Sequence, residues 1–108
     1  MNLQVFRDEV SIRSGGIPMH IRCQPTANGK GKPRFSAQVI IDWEAFTVIV
    51  YQQANEIWKA VLQSQVSETY AFHPYGTGAL EKVFENLRSG KDVETRKRPA
   101  REVDRSRW

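Results

Sequence analysis

The segment DWEAFTVIVYQQANEIWKAVLQS, residues 42–64, decides which fold the sequence predicts. Its stretch FTVIVYQ is rich in β-branched and aromatic residues, which favour strands. Asp42, however, is a good helix N-cap, and apolar residues then recur at i, i+3, i+4 and i+7, broken only by Gln53. We predict one long helix over this segment. The alternative is a strand over residues 45–52 followed by a shorter helix from Asn55.

Upstream of this segment, two runs with alternating polarity predict an antiparallel hairpin. The run IPMHIRC, residues 17–23, is followed by RFSAQVII, residues 34–41, and TANGKGKP lies between them. A loop that contains glycine is typical of such a connection. The N-terminal run LQVFRDEVSIRSGG is predicted to be a strand that ends in a turn, because Val10 and Ile12 alternate with polar residues.

Downstream, one strand and one helix are predicted. SETYAFHP reads as a strand that Pro74 stops, and ALEKVFENLRSG as an amphipathic helix that ends at Gly90. The sequence therefore predicts one α+β domain over residues 1–90. Its element order is β-β-β-α-β-α, with two helices packed on one face of a small antiparallel sheet.

Charge sets the last segment apart from this domain. The chain has 108 residues and a net charge of +4, and residues 91–108 hold seven basic and four acidic side chains. Because this segment has few large apolar residues, we predict a basic, flexible C-terminal tail. A single cysteine, no signal peptide and no long apolar run predict a cytoplasmic protein that does not enter a membrane.

Catalytic and metal-binding motifs are not found in the sequence. There is no CxxC, no HExxH and no glycine-rich phosphate motif, and Cys23 and His20 fall on opposite faces of their predicted strand. We therefore predict that the protein is not an enzyme and holds no metal or cofactor. The motifs of double-stranded-RNA-binding and RNA-recognition domains do not fit either, so no family is assigned.

The basic residues of the hairpin and the tail support the leading functional hypothesis. It describes a small, non-enzymatic, nucleic-acid-associated accessory protein that contacts phosphates, whether of DNA or RNA. The predicted contacts are Arg22, Lys30, Lys32, Arg34, Arg96, Lys97, Arg98 and Arg101. A simpler interpretation also stands, in which the loop is a solvated turn and the tail a solubilising terminus.

A second apolar stripe on the predicted long helix supports a different class of function. Its residues are Val48, Tyr51, Trp58 and Leu62. Such a stripe is typical of a protein-interaction module, such as an assembly subunit, adaptor or inhibitor, or of a homo-oligomer formed through the helix. The alternative is that the stripe lies under the sheet as part of the core.

Overall fold

Two helices cover one face of a six-stranded antiparallel sheet in the computed structural model, which describes residues 1–24, 32–91 and 93–95. Strands that are adjacent in sequence are adjacent in the sheet, in the order β1-β2-β3-β4-β5-β6. The elements are α1 (Leu3–Ser14), β1 (Met19–Gln24), β2 (Arg34–Ile41), β3 (Glu44–Gln52), β4 (Trp58–Gln63), β5 (Ser67–His73), α2 (Gly76–Ser89) and β6 (Glu94–Thr95). The predicted α+β class is confirmed.

A single core lies between the helices and the sheet. Every second residue of the central strands points into it, for example Phe35, whose cross-strand neighbour is Val50. Helix α1 contributes Phe6, whose ring centroid lies 5.6 Å from that of Phe35. Helix α2 contributes Ala79, Leu80, Val83 and Phe84. Both helices lie on this side, and no described helix covers the opposite face of the sheet.

The N-terminal segment is a helix, so its prediction as a strand was wrong. The Asn2 side-chain oxygen accepts a hydrogen bond from the Val5 N–H at 2.9 Å and caps the first turn. Gly15, with φ of 74°, ends the helix in the left-handed conformation. Phe6 and Val10, one helical turn apart, are both fully buried. The glycines that predicted a turn after a strand therefore end a helix.

Residues 42–64 form two strands, so the predicted long helix was also wrong. The alternative placed a strand correctly over residues 45–52 but placed a helix where β4 lies. Asp42 and Trp43, with φ of 50° and 68°, form a two-residue hairpin turn instead of a helix start. The predicted order β-β-β-α-β-α is replaced by α-β-β-β-β-β-α-β. The β1–β2 hairpin, strand β5 and helix α2 agree with the predictions.

The hairpin turn at Trp43 leads to a prediction about stability. Trp43 is 98% exposed, so its side chain contributes little packing, yet its backbone adopts a conformation that favours glycine. We expect Trp43→Gly to raise the free energy of unfolding by about 1 kcal/mol. Urea denaturation followed by circular dichroism measures this change. Trp43→Ala is the control, since it removes the indole but keeps the strained backbone; an equal gain for both variants would contradict the explanation.

Most of the predicted basic tail lies outside the described residues, which end at Thr95. Of residues 91–108, only Lys91 and 93–95 are described, and Glu94 and Thr95 pair with Glu68 and Ser67 as strand β6.

Neither helix in the described part of the chain is long and apolar enough to cross a membrane.

Candidate functional site on the open sheet face

The uncovered side of the sheet, which we call the open face, carries side chains in rows that run across the strands. Residues that pair across antiparallel strands point to the same side, so the strand register defines each row. The first row starts at the end of the β1–β2 hairpin and crosses five strands. It contains Gln24, Arg34, Tyr51, Lys59 and Phe72.

Basic groups and aromatic rings lie in contact along this row and with its neighbour Tyr70. The Arg34 Cζ atom lies 5.8 Å from the centroid of the Tyr51 ring. The Lys59 ammonium group lies 5.0 Å from the Tyr70 centroid and 5.6 Å from the Phe72 centroid. These are distances at which a cation is attracted to a ring face.

Tyr70 and Phe72 also contact each other. Their ring centroids are 5.8 Å apart and the ring planes meet at 79°, an edge-to-face arrangement. Tyr70 is 41% exposed and Phe72 is 43% exposed, so a large part of both rings faces solvent. We call Tyr51, Tyr70 and Phe72, together with Arg34 and Lys59, the aromatic-basic platform.

Two further rows cross the open face and give it a charge gradient. The second row contains Arg22, Ser36, Ile49, Val61 and Tyr70, and the third contains Met19, Gln38, Thr47, Gln63, Glu68 and Glu94. The first two rows hold three basic residues and no carboxylate, whereas the third ends in two glutamates. The positive side of the open face is therefore the side that carries the platform.

The basic residues on this side are not neutralised by described neighbours. In residues 1–24, 32–91 and 93–95, the ion pairs are those of Arg13 with Glu9 and Glu81, both between helical residues. The guanidinium groups of Arg22 and Arg34 are thus available to an anionic ligand, and both residues are exposed.

The predicted phosphate-contacting residues are placed by the structure only in part. Arg22 and Arg34 lie on the open face, and Lys32 lies two residues before β2. The others, Lys30, Arg96, Lys97, Arg98 and Arg101, lie outside the described residues. In the sequence, Lys30 comes between Gln24, which begins the first row, and Lys32.

The predicted partner interface does not form one surface. Val48 and Leu62 are fully buried beneath the helices. Trp58 packs against the core from the helix side, and its ring lies so near Gly76 of α2 that a Cβ atom there would be 3.1 Å away. Tyr51, in contrast, lies on the open face. Because residues 42–64 are two strands, Val48, Trp58 and Leu62 face the helices while Tyr51 faces the other way. Association through a long helix therefore loses its geometric basis.

Sequence reasoning missed three members of the platform, namely Lys59, Tyr70 and Phe72. Lys59 fell within the predicted helix, so its place beside an aromatic row could not be seen. Tyr70 and Phe72 alternate with the smaller Thr69 and Ala71, which face the helices. The sequence does show a strand with large rings on one side and small residues on the other. This pattern does not indicate which of the two sides the helices cover.

Comparisons with family models, with curated proteins and with solved structures gave no match. Within the part of the chain that the structure describes, no three histidine, cysteine or acidic residues are grouped to hold a metal ion. The residues of the open face themselves offer ring faces for stacking and basic groups for anions.

Proposed function

We propose that this protein binds single-stranded nucleic acid on the open face of its sheet and acts as a small, non-enzymatic accessory protein. The observation that carries the proposal is the aromatic-basic platform, in which Arg34 and Lys59 lie beside the exposed rings of Tyr70 and Phe72 and the ring of Tyr51. Proteins that bind single strands combine these two features, since bases stack on rings and phosphates meet basic groups.

The exposure of the rings favours single strands over duplexes. In a duplex the bases are stacked on each other, so a ring on a flat sheet cannot reach their faces. The alternation of rings and basic groups along the first row fits a strand that lies across the sheet. Lys59 is a flexible point charge, so its ammonium group can leave the ring face for a phosphate when a base stacks there.

The basic loop and tail complete the proposal. Lys30 and Lys32 come between Gln24 and Arg34 in the sequence, and these two residues pair at the start of the first row, so both lysines would extend its positive end. Arg96, Lys97, Arg98 and Arg101 would add phosphate contacts from the tail. Binding of this type depends little on sequence and falls steeply with salt, because each phosphate contact releases counterions.

Fluorescence anisotropy with labelled single-stranded DNA, single-stranded RNA and duplex DNA tests the proposal. Binding is expected at about 50 mM salt, to be tighter for the single strands, and to weaken strongly by about 200 mM. Absence of binding to either single strand at the lower salt would show the proposal to be wrong. Tighter binding to the duplex would contradict the proposal that bases stack on the rings of the platform.

The platform charges lead to a quantitative prediction. Arg34→Gln with Lys59→Gln should lower the magnitude of the salt slope for a single strand by about 1.4, the value expected for two lost phosphate contacts. The control is Arg7→Gln with Arg88→Gln, which changes the net charge equally at exposed positions on α1 and α2. Equal slopes for the two double variants would indicate that only net charge matters and that the platform makes no specific contact.

A further inference from the structure

The pairing of strand β1 with β2 is irregular between Met19 and Arg22, and this irregularity is a second feature of the open face. Met19 pairs with Gln38 and Arg22 pairs with Ser36, so His20 and Ile21 both lie opposite Ala37. This is a β-bulge, and His20 adopts φ of 53°, a conformation that is rare for a residue with a side chain. Bulges with strained residues are concentrated at binding sites, where they redirect a side chain.

An open cavity of about 360 Å³ lies at this bulge. It is lined by His20, Arg22, Ser36, Ala37, Gln38 and Thr47. Its side chains offer a guanidinium group, two hydroxyls, an amide and an imidazole, all of which can donate hydrogen bonds. None of its lining residues is a carboxylate, and Arg22 has no ion-pair partner among the described residues. The cavity therefore has the chemistry of an anion site.

The position of the cavity connects it to the platform. Ser36 and Arg34 both face the open side of β2 and are two residues apart, which is about 7 Å along a strand. Among the described residues, no phenylalanine, tyrosine or tryptophan lines the cavity, so a base would not find there the stacking surface that the platform provides. A phosphate group needs only donors and positive charge, and the planar fork of an arginine matches it.

We infer that the bulge cavity binds a phosphate group of the strand that crosses the open face, with Arg22 as its main contact. This inference rests on the proposed function, since it gives the bound strand a fixed point at the β1 edge of the platform. The hydroxyls of Ser36 and Thr47 and the amide of Gln38 supply the remaining hydrogen bonds. The bulge holds His20 at the same cavity instead of at a regular strand position.

The test follows backbone amide resonances of the full-length ¹⁵N-labelled protein during titrations at constant ionic strength. The probes are inorganic phosphate, a nucleoside 5′-monophosphate, and the same nucleoside without phosphate. We expect the two phosphate-bearing probes to shift the amides of His20, Arg22, Ser36 and Thr47, and the nucleoside to leave them unchanged. Equal shifts with the nucleoside would overturn the inference, because they would show that the base or sugar is bound.

Variants assign the contact to Arg22. Arg22→Gln should weaken binding of the monophosphate at these amides about tenfold or more, since it removes a charge-assisted hydrogen bond from a fork-shaped group. Arg22→Lys should give an intermediate loss, and Arg7→Gln on α1 should leave the titration unchanged. Unaltered binding by Arg22→Gln would overturn the inference.

The same spectra separate this inference from the proposed function. If oligonucleotides do not bind while phosphate still shifts the cavity amides, the proposed function fails and the anion site remains. If an oligonucleotide shifts Tyr70 and Phe72 but not the cavity amides, the proposed function stands and the inference about the cavity is wrong.

Discussion

A Tyr70→Ala/Phe72→Ala double variant is expected to bind a single-stranded oligonucleotide about 30-fold to 10⁴-fold more weakly than the wild-type protein. Alanine substitution of a stacking aromatic residue costs about 1–3 kcal/mol for each base, and two such losses give this range. Both rings lie on the open face and are more than two-fifths exposed, at 41% and 43%. The fold therefore does not depend on them as it depends on the core, and the loss should appear in binding.

Two control variants make this result specific. Tyr70→Phe with Phe72→Tyr keeps both rings and should bind within about threefold of the wild-type protein, as ring stacking is preserved. Ile12→Ala with Tyr75→Ala removes two exposed apolar side chains, at 70% and 71% exposure, from α1 and from the start of α2. Anisotropy titrations at one salt concentration compare all four proteins. If Ile12→Ala with Tyr75→Ala lost as much affinity as Tyr70→Ala with Phe72→Ala, exposed apolar area in general, and not the platform, would be responsible for binding.

Phe6→Ala is expected to lower the free energy of unfolding by about 3–5 kcal/mol, the usual cost of removing a buried aromatic side chain. Phe6 is 0% exposed and packs on Phe35, so its removal leaves a cavity between α1 and the sheet. A domain of this size has a total stability of about 5–15 kcal/mol, so this one change removes a large share of it. Urea unfolding monitored by circular dichroism measures the difference.

The same helix provides the matched control. Ile12 is 70% exposed on α1, and Ile12→Ala should change the free energy of unfolding by less than about 0.5 kcal/mol. If Phe6→Ala is too unstable to purify, Phe6→Leu should fold with a smaller loss of stability. If Phe6→Ala had no more effect than Ile12→Ala, α1 would not be docked on the sheet as described.

Local signals were strong enough to predict α2 and the β1–β2 hairpin. Helix α2 has one narrow apolar stripe and a glycine at its end, and Gly90 adopts the left-handed conformation, φ of 72°, that this signal predicts. The hairpin strand β2 alternates cleanly, with Phe35, Ala37 and Val39 buried. In both cases the residues on one face differ sharply from those on the other, so periodicity alone indicates the type of element.

The wrong predictions for residues 42–64 and for α1 have a different physical origin. Strand β3 buries Phe46, Val48 and Val50 toward the helices, and Ile49 on its other face is only 9% exposed. A strand that is apolar on both sides gives a continuous apolar run, and such a run also matches helical spacing. For α1, the alternation of Val10 and Ile12 with polar residues favoured a strand, although Phe6 and Val10 are buried one helical turn apart.

The open face could be predicted only in fragments. Arg22 and Arg34 were identified from charge, but the platform brings together residues from four strands whose register depends on the whole sheet. Lys59 and Tyr51 become neighbours only when β3 and β4 pair. The predicted long helix contained both Tyr51 and Lys59, so it could not show that Lys59 pairs with Phe72 of β5.

The consecutive order of the strands also bears on how fast the chain finds its fold. Strands β2 and β3 are joined by two residues and β4 and β5 by three, so each hairpin closes a short loop at little entropic cost. Helix α1, in contrast, reaches α2 across 68 residues, where Arg13 meets Glu81. Since contacts distant in sequence slow folding, docking of α1 onto α2 is the step that should set the rate, after the sheet has grown hairpin by hairpin.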